Sequence, residues 1–418
     1  MANYVVVLDP GHGSMEFMGG VNGTYIEKDI DLMVSKVIKD YLEQFEGVTV
    51  YLTRNEDVNV GLKERCDIAK SYGADFFFSI HFNMDAAHRL YGSEVFLPIQ
   101  KNYYNTMYPF ANEMLTNYES MGFLNRGIKT RLSSNGKDNY YAVIKNCTNY
   151  GIPSAIVEHC YLDNINDTQF LSIPGTEGFN NALVNFGYMD AIAIAKTLKL
   201  KSTTLGLDYT GYQSVKGNAT KALVKNDLTA PETCSIKVIN TNKELSNVTL
   251  RVSAKDKDSY IVYYQYSVDG GVNFSPLIPW SRTSWNKSVS SMDITVDVPK
   301  NSASNIVFAV YNNADLFTLS NAVSVDLINN LNVNLDNEIT SKVFDVDTTV
   351  VSNDINYGIG SSYIRTGSIE MKSNPVNYTF GLDLCSLGLT IVPLIVVMAT
   401  LLRRKISTGI LNIIKGIK

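Results

Sequence analysis

Cysteine is too sparse and scattered in this 418-residue chain to build a framework. Its five cysteines (Cys66, Cys147, Cys160, Cys234 and Cys385) are odd in number and contain no Cys-x-x-Cys. That argues against a disulfide scaffold and against a cysteine-ligated zinc site. Scattered thiols are the pattern of a chain made in a reducing cytosol. An excess of positive charge is also missing. Against 41 Asp and Glu stand 36 Lys and Arg, a formal net charge of -5, so nucleic acid is not an expected partner. No charged and apolar leader precedes the first strand, so no signal peptide is expected. No internal repeat is visible. What remains is ordinary globular composition, 45% hydrophobic and 18% charged, at a length that suggests two to four domains.

Long hydrophobic runs are absent until the C-terminus. Leu384 to Leu402 carries no charge and is followed by Arg403-Arg404-Lys405. A run near the ~20 residues that cross a bilayer core predicts a transmembrane-type helix over 382–404. The basic residues after it would lie on the cytoplasmic side, with the bulk of the chain outside. Residues 405–418 space their Ile and Leu as a basic, interfacial amphipathic tail would. The competing reading of the apolar run is a buried core helix.

Organisation changes along the chain. The first ~200 residues alternate strand and helix patterns, which predicts an α/β fold with a twisted, mostly parallel sheet covered by helices on both faces. Apolar residues at three- and four-residue steps predict a helix over residues 30–45. Further helices are expected around 108–120 and over 179–198, with a polar loop from Asn125 to Asn139. Residues 201–226 read as a linker. From Asp227 to about residue 330, short alternating runs separated by turns such as Asp269-Gly270-Gly271 predict a β-sandwich. Residues 331–381 read as a further β-rich or stalk region.

Three strand patterns end in residues that carry chemistry. Tyr4-Val5-Val6-Val7-Leu8 runs into Asp9-Pro10-Gly11-His12, Ala74 to Ile80 runs into His81-Phe82-Asn83, and Ser154 to Val157 runs into Glu158-His159. In open α/β sheets ligands bind outside the carboxyl ends of the strands, so His12, His81 and Glu158 can face one crevice. Two histidines and a carboxylate with an open position form a catalytic zinc set. Glu27, at the start of the first helix, and Glu16, in a Gly-rich loop, both compete for the third ligand position, with spacing favouring Glu27 modestly.

The ordered segments Leu8-Asp9-Pro10-Gly11-His12-Gly13, Glu27-Lys28-Asp29, Leu52-Thr53-Arg54, Leu62-Lys63-Glu64-Arg65, Ser79-Ile80-His81-Phe82-Asn83, Arg126-Gly127-Ile128-Lys129 and Ile156-Val157-Glu158 add a resemblance. Together they look like the zinc-dependent N-acetylmuramoyl-L-alanine amidases of the type 3 family, over residues ~3–198. The resemblance implies one Zn2+ held by His12, Glu27 and His81, with Glu158 as the catalytic carboxylate and peptidoglycan as substrate. One departure stands out: the family's Glu-x-Gly-Phe is Glu158-His159-Cys160-Tyr161 here. His159 reads either as a structural or ligand-supporting residue or as a contact to substrate or metal. Asn83 binds substrate or caps its loop. Arg126 and Lys129 either meet the carboxylates of the stem peptide or are surface charge. Tyr264 to Gly271 and Phe308 to Asp315 resemble segments of bacterial immunoglobulin-like modules. An apolar tail with no leader implies a phage or phage-tail-like particle lysin that is made in the cytosol and acts at the cell wall. Its tail would be sheltered in the particle or anchored in a membrane. The alternatives are a degenerate amidase that binds wall or serves structurally, and a zinc peptidase cutting within the stem peptide.

Overall fold

The computed structural model describes residues 3–14, 24–281 and 289–328, which fall within one compact unit. Glu16 and the expected helix over 382–404 with its tail lie outside the described residues. Among the described residues no helix is long and apolar enough to cross a membrane.

The N-terminal layer runs β1 (Tyr4–Pro10), α1 (Glu27–Leu42), β2 (Val48–Leu52), α2 (Leu62–Ser71), β3 (Phe76–Asn83), β4 (Ser93–Phe96), α3 (Lys101–Ser120), β5 (Asn125–Lys129), α4 (Ala142–Asn149), β6 (Ser154–Tyr161), α5 (Ile165–Thr168) and α6 (Glu177–Leu198). The strands form one sheet in the order β2-β1-β3-β6-β4-β5. Pleating sends alternate residues to opposite faces. Val6, Leu8, Phe76, Phe78 and Ile80 pack under α1, α3 and α6, while Val7, Phe77 and Ile156 pack under α2 and α4.

Three expectations are corrected. The sheet is mixed: β2, β1, β3 and β6 are parallel, but β4 runs antiparallel to β6 and carries β5 with it. The connection from Asn83 to Ser93 holds no helix. A parallel return needs a crossover of a dozen or more residues, so the chain comes back reversed. The expected polar loop from Asn125 begins as β5, all of it buried. The first helix starts at Glu27, three residues before its apolar stripe, and ends at Leu42.

Residues 201–226 carry the small hairpin β7 (Lys201–Ser202) and β8 (Leu207–Asp208) and then lie along the N-terminal layer. Lys101 N donates to Ala222 O and Val224 N to Ile99 O, and the Tyr212 hydroxyl bonds Glu113. The remaining strands are β9 (Thr233–Asn242), β10 (Asn247–Lys255), β11 (Ile261–Ser267), β12 (Ile278–Pro279), β13 (Ser291–Asp297), β14 (Ala303–Asn312), β15 (Phe317–Leu319) and β16 (Val323–Asp326). One sheet is ordered β13-β10-β9; the other is β12-β11-β14-β15, with β16 also on β14. Val248, Leu250, Val252, Trp280, Phe308 and Val310 fill the core between them.

Asp167, on the short α5, is nearly inaccessible, and its Oδ2 accepts from Gly92 N and Tyr161 N. Burial outweighs those bonds and pushes its carboxyl up to about 7. The unfolded carboxyl ionises near ~3.9, so the neutral form favoured by the fold contributes stability that is full below that pH. The contribution is lost as pH rises toward 7. Asp167→Asn is expected to gain on the wild type progressively across that window, read from urea melts at acid and at neutral pH. A difference independent of pH would contradict it.

Candidate active site

The chain leaves β1 for α1 and β2 on one side, then returns through α2 to β3 on the other. A crevice therefore opens at the carboxyl ends of β1 and β3, the switch point at which such sheets bind ligands. Asp9, 1% exposed, ties its floor: Oδ1 accepts from the Thr53 hydroxyl at 2.6 Å and Arg65 Nη1 at 2.8 Å, and Oδ2 accepts from the Ser79 hydroxyl at 2.8 Å. Arg65 also donates to the carbonyls of Pro10 and His12, and Arg54 to those of Pro10, Gly11 and Lys28. These two buried guanidiniums take up the carbonyls of a turn that has no ladder partner. They hold His12 at φ 57°, a left-handed conformation that costs a non-glycine residue energy and persists only when the surroundings enforce it.

Glu27 opens α1 and is buried. Its Oε1 lies 2.9 Å from His12 Nε2 and 3.2 Å from His81 Nδ1, and accepts from Phe82 N at 3.0 Å. Burial alone would raise this carboxyl, but the two imidazoles bring it below its ordinary range. Glu158 sits beside His81 in the β3–β6 register and lines the same cleft, about 170 Å³ in volume, with His12, Arg65, Tyr141 and Ile156. Desolvation, then the charges of Glu27 and Glu94, hold the Glu158 carboxyl well above the usual range. A carboxylate so placed accepts a proton readily and can pass it on. Two imidazoles, a buried carboxylate and a raised carboxylate converge at one strand edge.

Residues 6–177 match the family model described as N-acetylmuramoyl-L-alanine amidase. They form an N-acetylmuramoyl-L-alanine amidase domain. The sporulation-specific N-acetylmuramoyl-L-alanine amidase of Bacillus subtilis is 27% identical over 226 residues, 51% of this chain and 77% of that protein. The amidase LytC of the same organism is 30% identical over 40% of this chain, but the chain spans only 31% of its length. An endolysin of Bacillus phage SPP1 is 27% identical over 47% of this chain and 68% of its own length.

The amidase domain gathers the other sequence candidates around Glu94. Asn83 donates to Glu94 Oε1 at 2.8 Å and accepts from Met84 N. Arg126 and Lys129 are buried on β5, and both pair with Glu94 Oε2, at 3.0 and 2.5 Å. Arg126 further bonds the Tyr263 hydroxyl and Asp315 of the β-rich layer. Between those two cations Glu94 is held at about 2 despite its burial. This cluster stands beside Glu158 through the β4–β6 register. Half of the signal was in the sequence, as two cations in one motif; their partner Glu94 carried none.

His159 is fully buried on the face opposite Glu158, as strand alternation requires. Its Nδ1 lies 2.8 Å from the His81 carbonyl and its Nε2 2.8 Å from Asp190 Oδ2, while the Tyr118 hydroxyl bonds Asp190 Oδ1. It stacks on Phe82 and so braces the strand that carries His81. His88 is exposed and pairs with Asp163. The residue that sequence reasoning missed is Asp31: one ligand atom each from His12, Glu27, Asp31 and His81 lie within 4.8 Å of one another. Its signal was the four-residue step from Glu27, which puts both carboxylates on one helix face.

Proposed function

We propose that the chain is a zinc-dependent peptidoglycan hydrolase. It cuts the amide between the lactyl group of N-acetylmuramic acid and the L-alanine of the stem peptide. The observation that carries this reading is Glu27 Oε1, held 2.9 and 3.2 Å from two imidazole nitrogens beside Glu158. Two histidines and one carboxylate are the donor chemistry of hydrolytic zinc, and His12, Glu27 and His81 would hold it. When bound, zinc supplies Lewis acidity that polarises the scissile carbonyl and acidifies water. Glu158 takes the proton of the attacking water on a carboxylate oxygen, and its raised pKa favours holding it. It then delivers that proton to the alanine nitrogen as the amide C–N bond breaks, leaving a lactyl carboxylate and a free amine. Asp9, Arg54 and Arg65 keep the His12 turn in place.

The likeness to a phage endolysin supports a role as a phage or phage-tail-like particle lysin acting at the cell wall. In that reading residues 227–330 are an immunoglobulin-like spacer or wall-binding module. Residues 382–404 are an anchor, seated in a membrane or sheltered in the particle.

Incubating the full chain with purified peptidoglycan, with zinc and with chelator, tests the reaction by mass spectrometry. Intact stem peptides with free N-terminal alanine, lost with chelator, are expected. Shorter peptides would mean a peptidase, and no release with zinc bound would mean a wall-binding or structural module.

Gly11 gives a second test of the same site. A Cβ there would lie 2.6 Å from His81 Nδ1 and 2.7 Å from Asp31 Oδ2, closer than real Cβ atoms approach. Gly11→Ala is expected to displace the His81 ring and weaken zinc binding by about ten- to a hundredfold. Chelator competition reads the change, and unchanged affinity would remove Gly11 from the site's design.

A further inference from the structure

Asp31 is buried completely, and among the described residues neither of its carboxylate oxygens has a hydrogen-bond partner. A carboxylate taken out of water without a partner is strongly disfavoured, and buried charges are normally paired or bound to metal. The neighbouring guanidinium of Arg54 lends it charge but no hydrogen bond, since its own bonds go to the carbonyls of Pro10, Gly11, Lys28 and Glu56. The ligand atom of Asp31 instead belongs to the cluster with those of His12, Glu27 and His81, all within 4.8 Å of one another. A notional Cβ on Gly11 would touch both Asp31 Oδ2 and His81 Nδ1, so the two side chains look onto the same small space.

We propose that Asp31 is a fourth protein donor to the zinc, making the site His12–Glu27–Asp31–His81. The inference rests on the metal reading of this site given above. Two carboxylates and two neutral imidazoles balance the charge of Zn2+, where Glu27 alone would leave one positive charge. Catalytic zinc sometimes expands to five donors in the transition state, so with a fourth protein donor the attacking water would take the fifth position. The orphan carboxylate is then a ligand awaiting its ion, and its cost falls on the zinc-free protein.

The test uses the full chain, stripped of metal by chelator, and reads zinc affinity by competition with a chromogenic chelator. Thermal melts with and without zinc accompany it. The wild type is expected to bind one zinc per chain, and Asp31→Asn, which keeps the volume, to bind at least tenfold more weakly. Zinc-free Asp31→Asn should melt close to the zinc-free wild type, and should gain less from zinc. Asp31→Ala, which removes both oxygens, should give the same loss of affinity. It decides the matter if the asparagine variant fails to fold. An Asp31→Asn affinity within twofold of the wild type would overturn the fourth donor while leaving the three-donor site standing. A wild type that binds no zinc would overturn the metal reading itself, and this proposal with it.

Discussion

Glu158→Gln is expected to lower the release of stem peptides by roughly a hundredfold to ten-thousandfold, the usual contribution of a general base and acid. The amide keeps the shape of the side chain but neither takes a proton from water nor returns one to the leaving amine. Its neighbours should be little disturbed. Glu158 carries one of several negative charges around the site, and removing it relieves repulsion from Glu27 and Glu94. Zinc affinity and melting temperature should therefore stay at or slightly above wild-type values. The measurement is turnover on purified peptidoglycan together with zinc titration of the same sample. Turnover within threefold of wild type would take the proton-transfer role away from Glu158. Lost turnover with lost zinc would make it a ligand instead.

The largest expected effect on stability is at Arg126. Its guanidinium is buried and joins Glu94 of the amidase layer to Tyr263 and Asp315 of the β-rich layer. With Lys129 the cluster balances two cations against two carboxylates. Arg126→Met leaves the buried Glu94 with Lys129 alone and strands Asp315, whose side chain is 34% exposed. Breaking a buried pair in this way costs about 3–5 kcal/mol. That corresponds to a fall in melting temperature of roughly 6–20 °C for a chain of this scale. Arg126→Lys keeps the charge but loses the planar fork that reaches three partners at once, and should fall between the two. A methionine variant melting within about 2 °C of wild type would show that the cluster is not a stabilising joint.

The contrast between these two residues shows where sequence reading succeeds. Glu158 was legible because a strand in an α/β sheet delivers its last residues to the ligand edge, a rule that needs only local pattern. His12 and His81 follow from the same rule. Arg126 and Lys129 were read as candidates to meet substrate carboxylates, since a basic motif in a polar stretch looks like surface. The structure buries both against Glu94, which is more than thirty residues away in sequence. Charge pairing over that separation leaves no periodic trace. His159 was legible in part: alternation turned its side chain away from Glu158. Only packing brought it to Asp190 and the His81 carbonyl.

The sequence by itself determined the α/β alternation of the first two hundred residues, the strand ends that carry His12, His81 and Glu158, and the change to short strands after residue 227. Each depends on hydrophobic period and turn chemistry, which act over a few residues. The tertiary structure alone decided that β4 enters the sheet reversed, that Arg126 spans two layers, and that Asp31 lies buried beside His12, Glu27 and His81 with no hydrogen-bond partner among the described residues. Those outcomes depend on which distant groups share a volume closed to water. There an unpaired charge is expensive and a paired one is held, and no local pattern records the partner.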